Sequence, residues 1–238
     1  MSVIVSLKTD GYIPEVLDPG FIIGKSLNEE IDHITYACKK EDCEYVAKKI
    51  LVDDEASPDG CYTDKDYVKN EILISQMVGN LGIAPRVYAA SLNSKEAMMI
   101  LDKYDGDMND LIQLYKTDKS IPMDAILETI QKLIEILHNN GIVHRDLHPG
   151  NIFYTKEGII AIADYGQSVI SDSEELREGD RNEYKSMAYI VNQLKQGRDF
   201  DKGTGLTDPL FIAHSELDIQ RPPKILISFN GKICPDIW

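Results

Sequence analysis

The stretch Gly141-Ile-Val-His-Arg-Asp-Leu-His-Pro-Gly-Asn-Ile-Phe153, followed closely by Ile162-Ala-Asp164-Tyr-Gly166, decides how this sequence reads. Short apolar runs at residues 142–143, 152–154 and 159–163 alternate here with polar loops, the pattern of brief strands joined by turns. Just upstream, residues 122–139 place Ile126, Ile130, Leu133, Ile134 and Leu137 at steps of three and four, which predicts a long helix with one apolar face. Gly141 follows its end, where glycine commonly terminates a helix. A short helix is expected over residues 108–115, behind a linker at 102–106. Another is expected over residues 182–196, with Gly197 behind it.

Further towards the N-terminus the periodicity changes. Residues 21–24, 33–38 and 45–52 read as strands, with polar turns at 26–30 and 39–42. A loop rich in Asp, Ser, Pro and Gly covers residues 53–63. It leads to a helix over residues 65–80, with Thr63 or Asp64 as its cap and Gly79 and Gly82 near its end. Residues 86–91 and 97–101 are two further strands. The expected class is α+β. Residues 1–102 form an antiparallel sheet with one helix packed on it, and residues 103–238 form a mostly helical part.

Composition limits the possible partners. The chain has 238 residues and a formal net charge of −15, which argues against a nucleic-acid or anionic-membrane binder, since either needs a basic face. No apolar run approaches the roughly 20 residues that span a bilayer, and no secretory signal is read at the start. The four cysteines form no CxxC pair, so a reduced, cytoplasmic setting is expected, with one bridge left open as the alternative. Acidic residues gather around Asp53–Asp66 and again over Asp172–Glu183. They read as solvated loops, or more sharply as a docking surface for a basic partner.

His144-Arg145-Asp146, with Asn151 five residues past the aspartate, and Asp164-Tyr165-Gly166 resemble the catalytic loop and metal-binding motif of the protein-kinase superfamily. The resemblance implies a bilobal kinase-like fold, ATP and Mg²⁺ as cofactors, and a protein substrate offering a Ser or Thr hydroxyl. By that resemblance Asp146 orients the hydroxyl and accepts its proton, Asn151 and Asp164 hold magnesium, and His144 and Arg145 support the loop. Tyr45-Val-Ala-Lys48-Lys49-Ile50 looks like the strand carrying the phosphate-binding lysine. A Y-x-A-K pattern favours Lys48 and a literal V-A-x-K match favours Lys49. Adjacent strand residues face opposite ways, so only one reaches the nucleotide. Glu71 falls where the family places that lysine's ion-pair partner. Asp102, Lys103 and Tyr104 fall at the hinge whose backbone would meet adenine, with Leu101 before them as gatekeeper.

Three departures from the family pattern qualify this picture. The phosphate-covering loop should carry three glycines, which allow close backbone approach to phosphate, but only Gly24 stands there. His148 occupies the place of the usual lysine, and Asp146-Leu-His-Pro-Gly-Asn151 is similar instead to aminoglycoside and choline kinases. After Gly166 about fifteen residues are expected before the next helix, with no A-P-E. No full activation segment fits, as in small viral or atypical kinases, and Ser168, Ser171 and Ser173 are expected on the surface. Asp180 or Glu183 is expected to stand in for the acid that anchors that helix to the catalytic loop. The leading expectation is a Ser/Thr protein kinase. The alternatives are a small-molecule kinase and a nucleotide-binding pseudokinase scaffold.

Overall fold

The computed structural model describes residues 13–29, 33–52 and 65–197. Its first sheet is antiparallel, built from β1 (Ile22–Glu29), β2 (His33–Lys40), β3 (Cys43–Leu51), β4 (Val87–Leu92) and β5 (Glu96–Asp102) in the order β1-β2-β3-β5-β4. Alternation along β3 gives that sheet two distinct faces. Tyr45 and Ala47 pack with Phe21, Cys38 and Ile100 on one side, while Val46, Lys48 and Ile50 face a cleft on the other.

Helix α1 (Lys65–Asn80) lies between β3 and β4 in sequence and joins two cores. Val68 and Ile72 pack against Ile50, Ala90, Leu92, Ala97 and Met99 of the sheet. One turn on, Ile74 and Val78 enter the larger core that contains Leu147, Ile162 and Tyr165. Gly79 permits the close return of the chain, since a Cβ there would stand 3.0 Å from the Arg86 Cα.

The remaining described part is mostly helical: β6 (Gly106–Asp107), α2 (Met108–Thr117), α3 (Met123–Asn139), β7 (Ile142–Val143), β8 (Ile152–Tyr154), β9 (Ile160–Ile162), β10 (Val169–Ile170) and α4 (Glu174–Lys195). The α3 stripe of Leu127, Ile130, Leu133, Ile134 and Leu137 is buried, with Met187, Ile190, Val191 and Leu194 of α4 in the same core. Ile126 lies at the edge of that stripe, partly buried. A reciprocal capping box between Asp107 and Asp110 starts α2, a device worth about 1 kcal/mol, and sets Asp107 at the rim of the cleft. Gly141, at φ 70, makes the left-handed turn after α3, where a side chain would be strained.

The α+β class holds, with three local corrections. Strand β1 runs on to Glu29, through the polar residues read as a turn, because register shifts keep Ser26, Asn28 and Glu29 paired with β2. Helix α4 begins at Glu174, well before residue 182. Its first half has no apolar stripe to reveal it, and the start is set by the Ser173 hydroxyl, which accepts from Leu176 N. Ser168 is not on the surface: it is buried and donates to the His144 carbonyl at 3.1 Å. Among the described cysteines, Cys38 is a buried free thiol and Cys43 is disulfide-bonded, the one bridge the sequence left open. The acidic loop over 53–63, the caps Thr63 and Asp64, and the last forty residues lie outside the described residues.

Candidate active site

Between the sheet and the helical part opens a cavity of about 530 Å³, bounded by Val46, Lys48, Met99 and Leu101 on one side and by Asp146, Asn151, Phe153 and Asp164 on the other. That volume is within the usual range for a small-molecule site. Three elements meet in it through one cation. The Lys48 Nζ of β3 donates to Glu71 Oε1 of α1 at 2.9 Å and to Asp164 Oδ1, beyond β9, also at 2.9 Å. Lys49 points the other way and pairs with Glu96, so strand alternation resolves the choice between the two lysines.

Burial governs the electrostatics of this trio. It opposes a charge on Lys48, yet Glu71 and Asp164 more than offset it and hold the ammonium above its ordinary pKa. Burial likewise pushes the Asp164 carboxyl up, but the contact with Lys48 and the Gly166 N–H brings it below the ordinary carboxylate range. Glu71 is nearly all buried, and burial raises it against the pull of Lys48. The result is a fixed cation beside an ionised aspartate at the cleft wall.

The loop carrying Asp146 is held from behind. The carboxylate of Asp180, wholly buried on α4, accepts from His144 N at 2.9 Å and Arg145 N at 2.8 Å, and contacts the His138 Nε2 at 2.9 Å. Arg145 and Asp164 both sit in the left-handed region, at φ 69 and φ 62, a conformation that costs a non-glycine residue about 1 kcal/mol or more. The Asp180 bond to Arg145 N offsets that cost at the first position. His144 Nδ1 accepts from Asp146 N at 3.3 Å, so Nε2 bears the proton and donates to the Ala163 carbonyl at 3.0 Å. Burial lowers the pKa of this ring, which stays neutral. Tyr165 stacks edge-on against it at 5.0 Å and donates its hydroxyl to the Ile162 carbonyl, which explains how tyrosine is accommodated at a buried position.

Asp146 faces the cleft half exposed. Asn151 Nδ2 donates to the Asp146 carbonyl at 2.9 Å and to its Oδ2 at 3.3 Å, which leaves the Asn151 Oδ1 available to another partner. His148 Nδ1 accepts from Gly150 N at 3.1 Å, and its Nε2 lies 3.8 Å from Asp146 Oδ2. A Cβ on Gly150 would fall 2.9 Å from that ring, so glycine is required for the ring to fold over the amide.

The structure therefore gathers Lys48, Glu71, Leu101, Asp146, His148, Asn151 and Asp164 around one cleft. Gly24 lies in β1 against the Ala37 carbonyl and does not line it; Asn28, His33 and Thr35 line that side instead. At the hinge, Asp102 accepts from Arg86 N and the Tyr88 hydroxyl, Lys103 pairs with Glu44, and Tyr104 packs on Phe153. Those three side chains thus brace the hinge and stay out of the cavity wall. Asp107 was missed in the sequence although it lines the cleft. The signal that could have found it is the Asp-x-x-Asp pattern of a capping box before an apolar helix.

A family model described as the protein kinase domain matches residues 32–194. The chain is 34% identical over 108 residues to a probable serine/threonine-protein kinase of Dictyostelium discoideum, covering 44% of this chain and 8% of that protein. It is 27% identical over 145 residues to a serine/threonine-protein kinase of Mycosarcoma maydis, covering 58% and 20%. With the Aurora kinase of Saccharomyces cerevisiae it shares 21% over 183 residues, covering 76% and 48%. The chain thus spans less than half the length of each of these relatives. With the match running over well more than half of its own length, and the site's lysine, glutamate and aspartates converging as described, the chain belongs to the protein-kinase family.

Proposed function

We propose that this cleft transfers the γ-phosphoryl group of ATP, with magnesium, to a serine or threonine hydroxyl of a protein. The observation that carries this reading is Lys48 Nζ held 2.9 Å from both Glu71 and Asp164, across the same cavity that Asp146 and Asn151 line. Phosphoryl transfer asks a protein chiefly for position and charge, and this arrangement supplies both.

The residues present fit magnesium. The free oxygen of Asp164 and the Oδ1 of Asn151 are hard donors on one wall, and magnesium takes one or two such groups together with substrate phosphates. When bound, the ion supplies charge neutralisation at the polyphosphate. Lys48 meets the phosphates as a fixed cation, kept in line by Glu71. Asp146 accepts a hydrogen bond from the incoming hydroxyl, aims its oxygen at the phosphorus and takes its proton. Asn151 fixes the carboxylate through the bond to Oδ2. Asp107 and Asp146 at the cleft, in a chain of net charge −15, favour a basic acceptor.

Residues 167–173 lead directly from Gly166 into α4, with Val169 and Ile170 paired to β7. We read this as a kinase with no phosphorylation-switched activation segment. The same short connection, with His148 in the loop, favours a second reading in which the acceptor is a small hydroxylated molecule. Incubation with radiolabelled ATP and magnesium, against protein mixtures in one arm and aminoglycosides or choline in the other, separates the two. Label on serine or threonine supports the first reading. Label confined to the small molecules overturns it.

A further inference from the structure

Four consecutive backbone amides in the catalytic loop are bonded to side chains. His144 and Arg145 donate to Asp180, Asp146 donates to the ring of His144, and Leu147 N donates to Glu183 Oε2 at 2.8 Å. Asp180 and Glu183 are three residues apart on α4, so they share one face of the helix and grip the loop on either side of Asp146. The sequence led us to expect one of these acids as an anchor; the structure uses both, on different amides.

The geometry points to Glu183 as a positioning residue for phosphoryl transfer, fixing the direction of the Asp146 carboxylate through the Leu147 amide. This inference rests on the proposed function of the same cleft. The Leu147 side chain is buried in the main core and the Arg145 amide is tied to Asp180. The peptide unit after Asp146 is held at both ends, its carbonyl by Asn151 Nδ2 at 2.9 Å and its amide by Glu183. The site keeps Glu183 partly buried, and burial raises its carboxyl, with the nearby charges of Asp180 and Asp146 adding to the rise and the Leu147 amide opposing it. An acid retained in such surroundings has a specific use, because an apolar residue would leave the Leu147 donor without a partner, which costs stability. Ser168 holds the loop at the His144 carbonyl, and α4 supplies this second hold at the Leu147 amide.

The test compares the full chain with Glu183→Ala and Glu183→Gln. Glutamine keeps an acceptor oxygen and removes the charge. Steady-state transfer is measured with a histone mixture as acceptor, and amide exchange at Leu147 is followed by NMR without nucleotide. For Glu183→Ala we expect kcat to fall roughly tenfold or more with the KM for ATP within about twofold, the signature of a group that acts after nucleotide is bound. Leu147 exchange should rise at least tenfold while His144 and Arg145 stay protected. Glu183→Gln should restore most of the rate and the protection. An unchanged kcat in Glu183→Ala, or equal impairment in both variants, overturns the assignment. If the wild-type chain transfers no phosphate, the kinase reading fails separately, and unchanged Leu147 exchange in Glu183→Ala then overturns the hold itself.

Discussion

Lys48 Nζ stands 2.9 Å from Asp164 Oδ1, although 116 positions separate the two residues in the chain. Each belongs to a different part of the fold, so their contact, completed by Glu71 of α1, reports that sheet, helix and the Asp164–Gly166 segment are assembled together. A buried ion pair costs desolvation, and removing one partner leaves the other uncompensated.

Lys48→Met should therefore act on stability and on activity at once. Glu71 loses its partner while buried, and unfolding free energy should fall by about 3 kcal/mol, read from denaturant melts, with transfer lost. Lys49→Met removes only a contact with Glu96 at the sheet surface and should leave the rate within about twofold. The reverse ranking of the two variants would contradict the placement of β3.

Asp180→Ala should be among the most damaging single changes. It leaves the amides of His144 and Arg145 without an acceptor, strips His138 of its contact, and frees the left-handed turn at Arg145. Each stranded group costs about 1–3 kcal/mol, so a loss of roughly 3 kcal/mol or more is expected in chemical denaturation. A loss below about 1 kcal/mol would show that the loop is held by other means.

His144 gives the fold a pH dependence whose sign follows from its burial. Its folded pKa lies below the ordinary imidazole value, so the unfolded chain binds the proton more readily. The contribution is complete above the unfolded pKa of about 6.5 and fades as pH falls from there towards the folded pKa, at no more than about 1.4 kcal/mol per pH unit. Melting temperature should drop on going from pH 7.5 to 5.5, and His144→Gln, though less stable throughout, should show a shallower drop. An equally steep drop in the variant would assign the effect to other groups.

Phosphatase treatment should leave the transfer rate unchanged. Ser168 is buried against the His144 carbonyl and Ser173 caps α4, so neither is placed as a switch. A severalfold loss of activity after treatment would show a phosphorylated regulator that this short connection does not suggest.

Much of this arrangement is legible in the sequence where local periodicity and side-chain chemistry agree. The α3 stripe is an example, and so is the order of strands around α1. Glu71 could have been singled out on physical grounds alone, since Val68, Ile72, Ser75 and Val78 define the buried face of α1 and Glu71 falls within it. Asp180 illustrates the opposite case. The family resemblance offered it, with Glu183, as the anchor, but within its acidic run nothing local distinguishes it from Glu174, Glu175 or Glu178. Its burial comes from backbone amides some 35 positions away, which only the tertiary fold brings near. The early start of α4 was hidden for a related reason: a polar first half, stabilised by Arg181 pairing with Glu174 and Glu178, has no apolar stripe to announce a helix. The extension of β1 arises from pairing with β2 across register shifts, again a non-local cause.

The most direct test of the central claim is Asp164→Asn, assayed for both transfer and nucleotide binding. Asparagine tolerates the left-handed backbone at this position and keeps an oxygen for Lys48 and the Gly166 amide, so the fold should survive with a near wild-type melting curve. The account predicts that magnesium-dependent transfer falls by at least a hundredfold, through loss of a carboxylate that magnesium would use. A folded Asp164→Asn protein that transfers phosphate at the wild-type rate would contradict it.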